Sequence, residues 1–232
     1  FNTSKVITME NMFSDTESLR QCDLRSFDYE NVKTLSHLFY NSGIEQIPTS
    51  NYSSTNNVED VSYMFCFCRN LTDTSNIQDL RTNHVENMDG MFWGCESLGS
   101  IDVRNFDTSN VRRMSCMFKN CKALHELDLS GFNTNNTRTF ESMFEGCESI
   151  EELDLSNFTT NENVTYSRMF KDCKNLEKVD ISGLTGRAEH SNAADNMFEG
   201  CEKLSYIDMS NFRDESRNFN ESMTVFENVG IN

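Results

Sequence analysis

Apolar and polar residues follow one another along this chain in a compound rhythm that returns about every 26 residues, stretching to about 28 at the last two steps. The stretch from Ser109 to Phe132 carries it most plainly. Val111, Met114, Met117, Phe118, Cys121 and Leu124 recur at steps of three and four, which predicts one buried face of a short helix. Asp107, Thr108 or Ser109 is placed to cap its start. The period then changes to two. Leu127 and Leu129 fall on one side and Glu126, Asp128 and Ser130 on the other, the signature of a short half-buried strand, before Phe132 turns back to the interior.

The same tracing fits Leu98, Ile101, Val103 and Phe106, then Ile150, Leu153, Leu155 and Phe158. It fits Leu176, Val179, Ile181 and Leu184, then Leu204, Ile207, Met209 and Phe212, and also Leu19, Cys22, Leu24 and Phe27. Each helical stretch carries Met-Phe-x-x-Cys, at Met64, Met91, Met117, Met143, Met169 and Met197, with weaker copies at Met12, Leu38 and Val225. The second and third units are irregular. Pro48 falls in the second strand, and Leu71 to Leu80 holds one extra residue, so irregular pairing is expected there.

No unit of this length can bury its own apolar face, so neighbours must stack and bury it jointly. The predicted fold is an α/β repeat solenoid, with a parallel sheet on its concave side, short helices on its convex side and right-handed crossovers. Residues 1–232 form a single array of about eight to nine units. The chain opens on Phe1, and neither end shows a polar capping unit, so the array reads as a piece of something longer.

The strand pattern L-x-x-L-D-L-S-x-F, at Leu124 to Phe132 and in kindred form at Ile150 to Phe158, resembles a leucine-rich repeat. Joined to the preceding V-x-x-M-x-x-M-F-x-x-C, it is similar to the BspA-like leucine-rich-repeat family of bacterial and protist surface proteins, which includes mycoplasma lipoproteins. The resemblance covers nearly the whole chain. It implies a curved solenoid, a cell-surface or extracellular location and a role in attachment, and it brings no catalytic residues.

Nine cysteines suggest a disulfide framework at first sight. The repeat phase argues against it. Cys68, Cys95, Cys121, Cys147, Cys173 and Cys201 share one inward position, where a free thiol behaves as a small hydrophobe. Stacked equivalents with parallel side chains are poorly disposed for an S–S bond or a tetrahedral metal site. Cys22 replaces an aliphatic strand residue. Cys66 stands where other units carry Trp93, Lys119, Glu145, Lys171 and Glu199, which predicts an exposed thiol and makes it the candidate reactive cysteine.

Function must therefore be sought on the outward strand positions. Asp102, Asp128, Asp154, Asp180 and Asp208 form one row, with Asp23, Pro48 and Ser75 at the earlier equivalents. Like charges so close repel, and two explanations stand: each carboxylate accepts hydrogen bonds from nearby serines or amides, or the row holds cations or a basic partner. Beside it runs a variable row including Ser100, Glu126, Glu152, Lys178 and Tyr206, and Arg104 interrupts the serines that follow the aspartates. Together, Asp102, Asp128, Asp154, Asp180, Asp208, Arg104, Glu126, Glu152, Lys178 and Tyr206 form the candidate binding face.

A formal charge of −17 argues against nucleic acid as a partner, and no apolar run here is long enough for membrane insertion by this segment. No metal site and no cofactor motif is found. His37, His84, His125 and His190 fall at four phases of the repeat and do not converge, which leaves no constellation for catalysis. The expected function is a non-enzymatic cell-surface binding or adhesion module, offering its acidic concave face to a protein or glycan ligand. The alternative is a structural subunit of a surface layer or particle shell, self-assembling through its flanks and repeat ends.

Overall fold

A computed structural model describes residues 2–161, 164–184 and 193–212; the weak repeat copy at Val225 and His190 lie outside them. The chain is a leucine-rich-repeat solenoid. Among the described residues seven short strands succeed one another: β1 (Asp23–Leu24), β2 (Thr49–Ser50), β3 (Ser100–Ile101), β4 (Glu126–Leu127), β5 (Glu152–Asp154), β6 (Lys178–Asp180) and β7 (Tyr206–Asp208). They pair in parallel as β1-β2, β3-β4 and β5-β6-β7. A second parallel ladder of single bridges joins Thr8, Thr34, Asp60, Asn87, Arg113, Thr139 and Thr165.

The sheet is interrupted where irregular pairing was expected. Pro48 has no N–H to give, so the second strand starts one residue later and Asp23 pairs with Thr49, not with Pro48. In the third unit Ser75–Asp79 forms a 3-10 turn in place of a strand, which takes up the extra residue.

The predicted convex helices are replaced by stacked turns, and no α-helix occurs among the described residues. Around Met117 the N–H groups of Met117, Lys119 and Cys121 donate to carbonyls three residues back, at 3.4, 3.1 and 3.1 Å. The intervening N–H groups leave the unit. Those of Cys116, Phe118 and Asn120 donate to Glu141, Met143 and Glu145 of the next unit at 2.8, 2.9 and 2.7 Å. Two residues per unit take the left-handed conformation these turns need, Cys116 (φ 58°) and Asn120 (φ 58°) here, with Ser142 and Gly146 in the next unit. Spacing by three sends the same residues inward from turns as from a helix, so the apolar pattern could not separate the two. The residue before the cysteine could have done so. It is Gly94, Asn120, Gly146, Asp172 and Gly200 in successive units, the types that tolerate φ > 0 and weaken helices.

Inside, the motif phenylalanines form one stack. Phe39, Phe65, Phe92, Phe118, Phe144, Phe170 and Phe198 lie 5.2–6.0 Å apart in sequence and within 12° of parallel. Burying each ring contributes roughly 1.5–3 kcal/mol. The motif cysteines run beside them, buried and free. Each thiol donates to the phenylalanine carbonyl of the preceding unit, as Cys121 to Phe92 at 3.1 Å and Cys147 to Phe118 at 3.1 Å. Those carbonyls also accept the turn N–H of their own unit. A thiol suits the place because it is small and apolar yet still satisfies the carbonyl's second lone pair.

Cys66 is the exception to the sequence reading. It is fully buried, and burial pushes its thiol far above the ordinary range, so it is not an exposed nucleophile. Its chain neighbours Tyr63 and Phe67 reach the Trp93 ring of the next unit, at 6.4 and 5.3 Å, and a short side chain among such rings is overshadowed.

Two outcomes follow from this packing. Thiol titration of the native chain should find the six motif cysteines and Cys66 unreactive at neutral pH, with all nine thiols reacting after denaturation; a disulfide between motif cysteines would contradict the ladder. Gly146→Ala should destabilise by about 1–2 kcal/mol in urea unfolding, because alanine resists the left-handed conformation, whereas Gly146→Asn should cost less, as Asn120 holds the same place.

Candidate functional site

The outward side chains of the strands form a face set in register by the sheet. Glu152, Lys178 and Tyr206 align as one row, Asp154, Asp180 and Asp208 as the next, and Ser100 pairs with Glu126 in the same phase as the first. Two adjoining depressions mark this face. One, of about 420 Å³, is lined by Ser100, Asp102, Arg104, Glu126 and Asp128 among others. The other, of about 480 Å³, gathers Asp128, Glu152, Asp154, Lys178, Asp180 and Tyr206. Asp128 belongs to both, so the candidate residues form one continuous surface, with Asp208 joined through its register with Asp180.

Leu127 was expected in the core but is half-buried and borders both depressions. Cys22 is also only half-buried and borders a third depression with Gln21, Asp23, Arg25, Gln46 and Thr49. These two mark where the strand face leaves apolar surface uncovered.

The aspartate row has a local structural task. Asp128, Asp154, Asp180 and Asp208 each accept a hydrogen bond from the backbone N–H of the serine two residues on, at 3.0, 2.8, 2.8 and 3.0 Å. This closes the turn after each strand. In the third unit Asp73 accepts the Ser75 N–H at 2.9 Å in the same way, although its bridge to Gln46 sets it in the neighbouring row. Arginine replaces serine twice and adds an ion pair: Arg25 with Asp23 at 2.6 Å and Arg104 with Asp102 at 2.8 Å. These bonds bring the repelling carboxylates into a tolerable row.

Chemical variety is concentrated in the neighbouring row. The Lys178 ammonium pairs with Glu152 at 2.7 Å across two strands. Tyr206 on the third strand is 56% exposed, one of few large hydrophobic side chains so open among the described residues. An anion, a cation and an aromatic ring thus stand abreast on a hydrogen-bonded support. No group of His, Cys, Asp or Glu among the described residues is arranged to hold a metal ion.

The side-chain and backbone bonds from Arg104 hold the Asp102 carboxyl down, from 3.8 to about 2. A depressed folded value contributes stability that is present above the ordinary carboxylate range and is lost as the pH falls toward about 2. Carboxyl NMR titration should place the Asp102 midpoint near that value, and Arg104→Ser should raise it toward 3.8 while leaving the serine-type backbone bond. An unmoved midpoint would show that the backbone bond alone sets it.

No curated protein matches the chain in sequence. Among solved structures, a leucine-rich-repeat protein of T. pallidum is similar at 20% identity and TM-score 0.45, covering 64% of this chain and 61% of its own. A leucine-rich-repeat protein from Bacteroides ovatus is similar at 16% identity and TM-score 0.47, covering 86% and 57%. The chain therefore spans about three-fifths of the length of these two proteins. The profile of a family described as Mycoplasma protein of unknown function, DUF285, matches residues 1–73, 60–184, 99–212 and 152–229. With overlapping matches along almost its whole length, and with the repeat stacked as its spacing requires, this chain belongs to the DUF285 family.

Proposed function

We propose that the chain is a non-catalytic binding module of the cell surface, which engages a protein or glycan partner through its strand face. The observation that carries this reading is the registered row of Glu152, Lys178 and the open Tyr206 ring beside the aspartates. The Asp-to-backbone bonds explain why the aspartate row is regular. Nothing in the packing calls for the sequence of its neighbour, since Ser100, Glu126, Glu152, Lys178 and Tyr206 all occupy equivalent positions on equivalent strands. A rigid support with a changing outward row is suited to recognition, with many modest contacts summing along the array. The half-exposed tyrosine supplies the kind of aromatic anchor on which interfaces concentrate their binding energy.

The face is acidic, which favours a partner with basic or hydroxyl-rich groups and speeds encounter with a cationic one at low salt. Arg104 and Lys178 give it two fixed positive points within that field.

The test uses the purified chain against a panel of immobilised extracellular proteins and glycans. The variant Glu152→Ser, Lys178→Ser and Tyr206→Ser takes its residue from Ser100, which fills the same row on β3. Binding by the native chain, weakened at least about tenfold in the variant, is the expected result. Undiminished binding would remove the strand face from the account, and absence of binding together with concentration-dependent growth in light scattering would favour a structural subunit.

A further inference from the structure

The turn side of the solenoid carries a second feature, unrelated to the strand face. In the fifth to eighth units the first variable position of Met-Phe-x-x-Cys is charged: Lys119, Glu145, Lys171 and Glu199. These residues pair across neighbouring units, Lys119 with Glu145 at 2.9 Å and Lys171 with Glu199 at 2.5 Å. In the second to fourth units the same position holds Tyr40, Cys66 and Trp93, and the flanking left-handed positions hold His37, Tyr63 and Phe67. The fold is served by a ladder of charges at this place, so it does not require aromatic rings there.

The rings are built into one surface. His37 stacks on Tyr63 at 4.8 Å and meets Tyr40 at 5.4 Å. Tyr40 meets Phe67 at 5.7 Å, and Phe67 meets Trp93 at 5.3 Å. Cys66, which holds the repeat position between those of Tyr40 and Trp93, is buried. Gly90 and Gly94 of the fourth unit make room for them: a Cβ there would stand 2.4 Å from the Tyr63 ring and 2.5 Å from the Phe67 ring. All five rings are half-buried, so they are fixed by mutual contact while still offering part of their surface to solvent.

Polar groups border this floor. A depression of about 240 Å³ beside Phe67 is lined by Glu17, Asn41, Arg69 and Asn70. The Arg69 guanidinium lies 5.2 Å from the Phe67 ring centre and is shared loosely with Glu96 at 3.6 Å and the Asn41 side-chain Oδ1 at 3.4 Å. Bonds that long are readily exchanged.

From these features we infer that the aromatic floor is a saccharide-binding site. A sugar ring presents an apolar face of C–H groups and a belt of hydroxyls. The first matches a preordered aromatic surface, and the second matches amides, a carboxylate and a guanidinium at its rim. The depression is smaller than the roughly 300–1,000 Å³ of pockets for drug-sized ligands. It accommodates one sugar unit, with the next units lying over the adjoining rings. A protein partner fits less well, because none of these rings belongs to the strongly exposed large hydrophobics of the described chain, Ile7, Met12 and Tyr206. The rim guanidinium is also engaged already, since Arg69 pairs with Glu96, which Lys122 shares.

The chain's one tryptophan is Trp93, which makes its fluorescence a direct reporter of the site. A broad printed glycan array should first identify a saccharide bound by the purified chain, and titration with that saccharide should change Trp93 emission saturably. The repeat itself supplies substitutions that preserve the turns: Phe67→Asn follows Asn120, and Trp93→Glu follows Glu145, which pairs with Lys119. Phe67→Asn, followed by fluorescence, and Trp93→Glu, followed by calorimetry, should each weaken binding at least about fivefold, the order of a lost aromatic contact, with cooperative unfolding retained. The strand-face variant Glu152→Ser, Lys178→Ser and Tyr206→Ser should bind the saccharide as the native chain does, so the two surfaces are tested separately. An array without a bound glycan, a bound glycan that leaves Trp93 emission unchanged, or full affinity in both substituted chains would overturn the inference.

Discussion

Every unit of this solenoid depends on its neighbour to satisfy its backbone. Buried N–H and C=O groups must find partners, and here neither the strands nor the turns can supply them within one unit. The strands bond in parallel on one side. On the other, every second N–H of the turn segment donates to the following unit, as from Phe118 to Met143. Hydrogen bonding on both sides couples the units at one repeat distance, and the phenylalanine stack and the thiol row between them have to keep the same distance. The 5.2–6.0 Å spacing of those rings is the result.

The polar composition follows from the same demand. A buried threonine links units through its hydroxyl, as Thr108 does by donating to the Asn133 carbonyl at 3.0 Å while accepting from the Asn133 N–H at 2.8 Å. Asn31, Asn57, Asn110 and Asn136 each donate an amide N–H to a carbonyl of the preceding unit at 2.7 Å. The abundance of asparagine is thus partly structural. Ion pairs between units, such as Arg112 with Glu86 at 2.9 Å, lie at the surface and add little individually. They do let some equivalent positions of a strongly acidic chain alternate in sign from one unit to the next, as Glu86 and Arg112 do.

Such a scaffold frees particular rows from structural duty. On the strand face, the aspartates close turns and the row beside them is left to vary. On the turn face, a charge ladder in the later units gives way to aromatic rings in the earlier ones. Both departures from regularity fall where the repeat imposes no residue type, and binding chemistry can be placed there without disturbing the core.

The period and phase of the apolar residues determined much of this by themselves. They show which residues face inward, that the cysteines form an inward row, that the strands run parallel, and that the candidate face is an outward row beginning near Asp102. These follow because one-sided burial imposes a periodicity that can be read without knowing the backbone path. Other features were decided only by the tertiary structure. Steps of three are common to a helix and to a run of turns, and the turns win because they hand half their N–H groups to the next unit, with Gly94 and Asn120 ready for the left-handed bends. The burial of Cys66 depended on Tyr63 and Phe67 reaching the Trp93 ring of the next unit, a partner that a single unit's pattern does not contain. The pairing of Asp23 with Thr49 depended on Pro48 lacking a donor at the moment two strands met. Periodicity reports what each unit needs, and contact between units decides how that need is met.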